Sequence, residues 1–520
     1  MKECLKTLVG LIILSILISG QGCDDVSDGD ITPIDFNPAY PRLSMWWPDS
    51  WNQDPQELAR YDYIGWGNWE DENSLTLLKQ LNPDQLHFTA ISVTETCWES
   101  WEYDSALVSQ IPDLWFLTQV GSTIVTDVDE NQTIIEVAET RDGNGTPLFE
   151  AGDILACGFE SMRLLAVNHI QRTLILERGF VREAASHSTG DRIAAHIEFW
   201  PETWVMNLST LCPTVDVGNG PESWVDWALR NYIPYYWPNQ RDGFLIDRIE
   251  DSQSWLVYEK AYGRTIDPDC SNRLVEDGYQ TFDAAWQEGI RGFLPGIREM
   301  LQGKPLFGNT FGAYNDLLNG SIWESCPGNW SDTVPEVFTD WAQRVLRADG
   351  YIEVSKKGYS PNFSTVETYE LEEYLPNPEV NNPLLDPNFE PNYQRMRFGI
   401  TTALLGDGYF SYEINTNGHG TLGLMWFDEY DNVGEGRGYL GYPAGDAYVI
   451  LDLGASGQVF RRDYDDGIVL CNPSGNRVNV NLGGIYRLIR GTQVTHVNTG
   501  ENVSVISLLS RDGRILLKID

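Results

Sequence analysis

The chain has little positive charge and few histidines. Among its 520 residues, 35 Lys and Arg stand against 76 Asp and Glu, a formal net charge of −41, and only six residues are His. So acidic a surface repels phosphate backbones, which argues against nucleic acid as a partner. It also disfavours polyanionic substrates, whereas neutral or amino sugars are compatible with it.

Motifs of several enzyme classes are missing as well. No H-E-x-x-H spacing occurs, which disfavours a zinc hydrolase, and no G-x-S-x-G elbow, which disfavours a serine esterase. The glycines of Gly434-x-Gly436-x-Gly438 precede neither a predicted helix nor a G-K-[ST] sequence, so they indicate a loop. We therefore predict neither a metal site nor a cofactor.

The most apolar run is too short to span a membrane comfortably, but it has the form of a secretion signal. Lys2 and Lys6 precede the apolar run Leu8–Ile18, and small residues follow it up to Cys23. This pattern predicts a signal peptide at 1–22 and resembles a bacterial lipobox, in which Cys23 becomes the lipidated first residue. Ordinary secretion is the alternative. The predicted location is the bacterial cell envelope, exported and membrane-anchored by lipid, facing the periplasm or at the cell surface.

Residues 23–40 are acidic and predict a solvated tether. Apart from Cys4 and Cys23, six cysteines remain, and an oxidising compartment permits disulfides whose pairing stays open. The absence of any C-x-x-C pair disfavours a zinc ribbon or a thioredoxin-like site. The six are Cys97, Cys157, Cys212, Cys270, Cys326 and Cys471.

Aromatic residues are abundant, with 19 Trp, 24 Tyr and 19 Phe. Such rings can simply fill a large core. They also line sugar-binding clefts, because a flat apolar ring packs on the apolar face of a pyranose. Clusters such as Trp46-Trp47 favour the second interpretation.

Short β-rich runs alternate with helical stretches, the pattern of an α/β fold. Eight buried strands in this order predict a (β/α)8 TIM-like barrel, with Leu114–Thr118 left outside it. The predicted strands are Arg42–Trp47, Tyr61–Trp66, Gln85–Ile91, Gly243–Asp247, Pro305–Asn309, Gly320–Glu324, Tyr351–Val354 and Gly408–Glu413. The predicted helices are Pro55–Arg60, Ser74–Gln80, Glu276–Gln302, Pro335–Arg347 and Tyr393–Leu405.

Two regions lack any helical period and contain only short strands and turns. The first predicts a small β-module at 120–196, inserted between barrel parts at 41–119 and 197–446. The second, 447–520, predicts a C-terminal β-sandwich.

Catalytic groups of such barrels lie where strands end at the C-terminal face. Three acids and an amide end predicted strands here: Asp247, Asn309, Glu324 and Glu413. A carboxylate that closes an apolar run must face a cleft or a partner, because an unpaired buried charge is costly. A salt bridge or a helix cap is the alternative for each acid.

Glycoside cleavage requires one carboxylic acid to protonate the leaving oxygen and a second carboxylate to attack the anomeric carbon or activate water. Because Arg241 and Arg248 flank Asp247, we expect Asp247 to be the nucleophile or stabilising carboxylate and Glu324 the general acid. Aromatic and polar residues at strand ends and in the Trp426–Asp431 cluster are the expected sugar contacts. The predicted substrate-binding residues are Trp46, Trp47, Asn309, Trp323, Glu413, Trp426, Asp428 and Glu429.

Several segments together resemble the hypothetical glycoside hydrolase families of bacterial barrel proteins with a C-terminal β cap. The resemblance covers Gly243–Ser474 best and Arg42–Gln119 loosely, without the β-module. It implies a glycosidase-type barrel with acids at strands four and six, here Asp247 and Glu324. The segments that carry it are Gly243–Asp247, Pro305–Asn309, Asn319–Glu324, Asp407–Phe410, Trp426–Asp431, Leu440–Pro443 and Arg461–Pro473.

These observations favour a glycoside hydrolase that cleaves O-glycosidic bonds of a poly- or oligosaccharide with two carboxylates. A non-catalytic carbohydrate-binding lipoprotein could use the same cleft. An adhesion protein would instead use the β-module as its contact surface. Facing carboxyl groups of Asp247 and Glu324 would favour the enzyme.

Overall fold

The protein is described from a computed structural model. It describes residues 34–48, 53–67, 72–98, 107, 110–199, 202–237, 241–256, 265–272, 279–327, 338–370, 389–414 and 424–519. The predicted signal peptide and lipidation site at Cys23 lie outside these ranges.

Eight parallel strands, β1–β8, follow one another in sequence order around a barrel. A parallel bridge between Leu43 and Phe410 joins the last strand to the first, and the Phe410 amide donates to the Arg42 carbonyl at 3.0 Å. The strands are β1 Ser44–Trp46, β2 Tyr63–Trp66, β3 Leu86–Ser92, β4 Gly243–Asp247, β5 Leu306–Asn309, β6 Ser321–Trp323, β7 Thr365–Tyr369 and β8 Tyr409–Glu413. The predicted TIM-like barrel is confirmed.

Side chains that point into the barrel form an aromatic core, as the alternation of strand side chains requires. The Tyr63 ring lies edge-on to Phe88, Phe307 and Tyr409, with centroids 5.4, 5.7 and 4.9 Å away. This packing fills the barrel below its C-terminal end, so a site can form only above it.

Helices cover the outside of the barrel where the sequence predicted them. They bury apolar side chains against the outward-pointing residues of the strands. Their bounds are Pro55–Leu58, Glu72–Leu81, Tyr279–Leu301, Phe338–Val345 and Tyr393–Leu405. Leu114 lies in a 3-10 turn, Asp113–Trp115, outside the barrel, as expected.

The predicted seventh strand is wrong. Tyr351–Val354 forms a helical turn, and the seventh strand is Thr365–Tyr369. A short run of aromatic and β-branched residues has no period that distinguishes a strand from a helical turn, and T-V-E-T-Y lacks the apolar run of a buried strand because its inward residues are polar. This shift matters because it brings Glu367 and Tyr369 to the C-terminal end of the barrel.

Residues between β3 and β4 include a six-stranded sheet with its own apolar core. One of its faces keeps apolar side chains exposed: Ile134 pairs with Ile175 across two strands, and they are 52% and 38% exposed. The strands are Ser122–Thr123, Ile134–Glu136, Ile154–Cys157, Glu160–Asn168, Thr173–Glu177 and Arg192–Ala195.

Replacing 120–196 with a short Gly/Ser linker should leave a remainder that still unfolds cooperatively. The two ends of the segment are close, since the Gln119 amide donates to the Ala195 carbonyl at 2.8 Å. Arg192, within the deleted segment, forms an ion pair with the buried Asp267 at 2.7 Å. Deleting the segment removes this partner of Asp267, so the unfolding midpoint should fall, and adding Asp267→Asn to the deletion should recover part of the decrease. Circular dichroism melts measure this. Insoluble protein from both variants would mean that the segment belongs to the barrel core.

The C-terminal six-stranded antiparallel sheet packs one face on the barrel helix Tyr393–Leu405. The approach is close: a Cβ at Gly513 would lie 1.9 Å from the Thr401 hydroxyl oxygen. A buried ion pair between Arg397 and Asp512, 2.9 Å apart, crosses the same contact. The other face buries a separate apolar cluster within the sheet, which gives the sandwich-like form predicted. The strands are Tyr448–Asp452, Gln458–Asp463, Gly467–Asn472, Val478–Leu488, Asn502–Leu508 and Asp512–Leu517.

None of the six described cysteines forms a disulfide. Four of them are buried, namely Cys157, Cys212, Cys326 and Cys471, and they behave as small apolar residues. In the ranges given above, no helix combines the length and apolarity that a membrane crossing needs.

Candidate active site

Polar side chains replace the aromatic core at the C-terminal end of the barrel. Each occupies an inward position, because its strand neighbours on either side, such as Ile246 and Trp323, pack outside the barrel. We call the set the strand-end cluster: Asp247, Asn309, Glu324, Glu367 and Glu413. Four of the five were predicted from the sequence, and Glu367 was not.

Asn309 bridges the two predicted catalytic acids. Its Nδ2 donates to Asp247 Oδ1 at 3.0 Å and to Glu324 Oε2 at 2.7 Å. One amide nitrogen can bond both carboxyl groups only if they face one another. Asn309 is 3% exposed, and its Oδ1 has no hydrogen-bond partner among the described residues, so an acceptor remains available inside the site.

The second oxygen of Glu324 is also held. The Tyr369 hydroxyl donates to Glu324 Oε1 at 2.8 Å. Burial, and then the charges of Glu367 and Glu324, raise the pKa of Tyr369 well above its usual value, so the phenol stays a donor. Arg344 fixes the backbone beneath by donating to the carbonyl oxygens of Glu324 and Ser325 at 2.6 and 3.0 Å. Each carboxyl oxygen of Glu324 is therefore held by a donor.

The backbone turns sharply just after three inward residues. Trp47, Arg248 and Ser325 have φ values of +49°, +58° and +54°, a region that non-glycine residues rarely occupy. Arg248 and Ser325 directly follow the two predicted catalytic acids. Backbone strain of this kind concentrates where a side chain must be aimed at a ligand.

The arginines expected beside Asp247 are directed elsewhere. Arg248 lies over the Phe199 ring at 3.2 Å and contacts Glu250 at 3.4 Å. Arg241 precedes β4, at the opposite end of the strand from Asp247. The arginines therefore do not support the more acidic role expected for Asp247, and the roles of the two acids stay a prediction.

Glu367 is the acid that sequence reasoning missed. It is completely buried on β7. Burial, followed by the charges of Glu413 and Glu324, raises the pKa of Glu367 well above its ordinary value. The available signal was the alternation in Thr365–Tyr369, in which every second residue can point into a barrel.

The other predicted sugar contacts at strand ends differ in placement. Glu413 ends β8 and belongs to the cluster. Trp46 points into the barrel at 3% exposure, and Trp47, half-buried beside it, has its ring centroid 5.7 Å away. Trp323 is a correction: it lies outside the barrel against Tyr351, with centroids 5.4 Å apart, so its ring offers no face to a sugar.

The Trp426–Asp431 segment contacts the C-terminal region through its acids. Asp428 accepts from the amides of Thr492 and Gln493 at 2.7 and 2.9 Å. Glu429 accepts from Asn498 Nδ2 at 2.9 Å.

Trp426 lies under the Arg60 guanidinium at 3.5 Å, beside Tyr61. The structure thus gives Trp426, Asp428 and Glu429 structural contacts, and the sugar contacts predicted for them stay a prediction. Carboxylates beside aromatic rings suit both uses, so the sequence pattern could not separate them.

No group of His, Cys, Asp or Glu within the described part of the chain has the arrangement of a metal site. The cluster holds four carboxyl groups, two of them bonded to one amide, which is equipment for proton transfer and attack at an electrophilic carbon.

Comparisons with solved structures find distant similarity. The glycoside hydrolase domain of PelA from Pseudomonas aeruginosa is 12% identical over 71% of this chain and 94% of that one, with a TM-score of 0.33. The noncanonic maltogenic alpha-amylase AmyB from Thermotoga neapolitana is 9% identical over 92% and 98%, with a TM-score of 0.40. The GH36 alpha-galactosidase AgaA from Geobacillus stearothermophilus is 9% identical over 92% and 55%, with a TM-score of 0.38. No curated protein matches the sequence.

A family model does match. The model described as Hypothetical glycosyl hydrolase family 15 covers residues 185–468, more than half of the 520 residues, and this range contains the whole strand-end cluster. The chain therefore belongs to Hypothetical glycosyl hydrolase family 15, and it is a glycosidase.

Proposed function

We propose that this glycosidase is exported and lipid-anchored, and that it cleaves O-glycosidic bonds of a poly- or oligosaccharide with Asp247 and Glu324 as its catalytic pair. The observation that carries the proposal is the Asn309 amide, which bonds both carboxyl groups. A catalytically silent binding protein has no need for two acids held at a fixed separation.

The bridging amide also supports a retaining mechanism. The two hydrogens of one amide nitrogen diverge by roughly 120°, so oxygens bonded to both lie about 5 Å apart. That separation is typical of retaining pairs, whereas inverting pairs are wider to admit a water.

In the proposed reaction a Glu324 oxygen attacks the anomeric carbon and the bond to the leaving oxygen breaks. The carboxyl proton of Asp247 passes to that oxygen. Water then attacks the same carbon, the Asp247 carboxylate takes its proton, and the bond to Glu324 breaks. One glycosidic bond and one water give two products, with the anomeric configuration kept.

The roles follow from the surroundings of each acid. Glu324 has a donor on both oxygens, which stabilises its ionised form. Asp247 lies across the Asn309 amide from the ionised Glu324, and neighbouring negative charge favours a protonated carboxyl group. The reverse of the roles expected from the sequence is therefore proposed.

The experiment is a digestion screen of purified protein against neutral, amino-sugar and anionic glycans, read by mass spectrometry. We expect cleavage within the neutral or amino-sugar groups, because the net charge of −41 disfavours polyanions. Proton NMR of the first product should show the anomer of the substrate. No cleavage of any glycan, with binding intact, would replace the enzyme with the carbohydrate-binding alternative.

Export and lipid anchoring rest on the N-terminal sequence. Replacing Cys23 with Ala should abolish labelling by a palmitate analogue in a bacterial host that processes lipoproteins, because the thiol is the acceptor. The parent chain and a Cys97→Ala variant should incorporate equal amounts of the palmitate analogue, since Cys97 lies beyond the predicted anchor. Undiminished labelling of the Cys23→Ala chain would remove the lipid anchor from the proposal.

One observation favours the adhesion alternative as an additional role. Exposed Ile134 and Ile175 form a cross-strand pair on the inserted sheet, and Leu165, 53% exposed, lies on the neighbouring strand. Apolar surface of this kind can serve attachment. The variant lacking 120–196 tests it: retained hydrolysis with lost attachment to cells would assign the surface to binding, and unchanged attachment would remove the role.

A further inference from the structure

Glu367 is a buried carboxyl group that the proposed reaction does not use. It lies on β7 between the Glu324 and Glu413 strands and is 0% exposed. Neither of its oxygens accepts a hydrogen bond from a donor among the described residues. An ionised carboxylate without a donor in such a place is costly, so the carboxyl group must keep a proton or find one.

Acidic groups face Glu367 from several elements. Glu413 is an inward residue of the neighbouring β8, opposite Tyr369 and so one inward position along from Glu367, and Glu413 Oε2 is likewise buried. Glu324 lies at the end of β6, and Asp247 lies at the end of β4. Tyr63 on β2 is a further titratable neighbour below it. Two carboxyl groups in contact cannot both be ionised at low cost, so one proton between them is the favoured state.

We propose that Glu367 and Glu413 share one proton as a carboxyl–carboxylate pair, and that Glu367 is a positioning residue which acts on the reaction through Glu324 and Asp247. The role in catalysis rests on the proposed function, whereas the shared proton does not. The pair contributes one negative charge to the site where two free carboxylates would contribute two.

The backbone of β7 joins the pair to Glu324. The Glu367 carbonyl accepts from the Cys326 amide at 2.7 Å, two residues beyond Glu324. Tyr369, two residues beyond Glu367 on the same strand, holds Glu324 Oε1. A change of charge at Glu367 therefore acts on the position and the proton affinity of both catalytic acids.

A double-mutant cycle of pH profiles tests the shared proton. In Glu367→Gln or Glu413→Gln alone, the remaining acid keeps the single negative charge, so the alkaline limb of kcat/KM should move by less than about 0.3 pH units. In the double variant this charge disappears, and the limb should move down by about one unit because Asp247 releases its proton more easily. The limb position is the readout, so a lost sugar contact at Glu413 does not affect it.

The matched control is Asp113→Asn. Asp113 is another buried acid, whose pKa burial raises to about 7, and it pairs with Arg182 instead of the cluster. This variant should leave the limb unmoved. If both single variants shift the alkaline limb equally and the shifts add in the double variant, the two groups are independent carboxylates and the proposal is overturned. The absence of a shift in all three variants would overturn it as well.

Infrared difference spectra test the pair without a substrate and so remain valid if no glycan is cleaved. At neutral pH, each single variant should lose one protonated-carboxyl C=O band and no carboxylate band. The double variant should lose one band of each kind. Loss of a carboxylate band from Glu367→Gln alone would show that Glu367 is ionised and would overturn the shared proton.

Discussion

Replacing Glu324 with Gln should lower kcat by about 10⁴-fold or more on a natural glycoside and on a dinitrophenyl glycoside alike. An amide keeps the shape of the side chain and can accept with its one oxygen from either Tyr369 or Asn309, but it cannot attack the anomeric carbon. Because attack is needed whatever group departs, a better leaving group should not restore the rate.

Replacing Asp247 with Asn should separate the two substrates. The natural glycoside needs its leaving oxygen protonated, and loss of a general acid costs about 10²–10⁴-fold. The dinitrophenyl glycoside leaves without protonation, so its first step should be nearly unaffected. Stopped-flow release of dinitrophenol measures this directly.

Asp251→Asn provides the matched control for these variants, because Asp251 is an exposed acid four residues from Asp247. Its rates should equal those of the parent chain, and unfolding midpoints should agree across all three variants. If Glu324→Gln hydrolyses the dinitrophenyl glycoside at close to the parental rate, Glu324 is the general acid and Asp247 the nucleophile, as expected from the sequence. Small, equal losses in both variants would place the catalytic pair elsewhere in the cluster.

Seven of the eight barrel strands could be predicted because each is an apolar run closed by a polar or aromatic residue, as in Gly243–Asp247. The seventh could not, since β7 carries Glu367 and Tyr369 inward and so lacks the apolar signature of a buried strand. Functional sites are where local pattern and fold disagree. The strand that could not be predicted, β7, is therefore one that contributes residues to the site.

Strand ends also predicted the acids but not their surroundings. Asp247 and Glu324 could be located because a carboxylate must end an apolar strand at a cleft. Proximity in sequence did not predict the surroundings of Asp247, because Arg248 is adjacent to it in sequence but contacts Phe199 in space. The same limit explains Trp323, since a ring next to Glu324 along a strand points to the opposite face of the sheet.

Replacing Asn309 should cause the next largest loss, because one side chain holds both acids. Asn309→Ala removes two hydrogen bonds to carboxyl groups, and we expect kcat to fall by about 10²- to 10³-fold with a smaller change in KM. The stability of the chain should change little by comparison, since a buried acceptor without a partner, Asn309 Oδ1, is removed at the same time.

Asn309→Asp gives the sharper test because it changes the bond and keeps the shape. An ionised carboxylate at this position repels Asp247 and Glu324, whereas a protonated one can still donate to a single neighbour. The variant should therefore lose more activity than Asn309→Ala at neutral pH and recover toward it as the pH falls, which kcat profiles of both variants would show. If the two variants have parallel profiles, or if Asn309→Ala keeps parental kcat, the amide does not hold the pair, and the separation of about 5 Å inferred from it no longer supports retention.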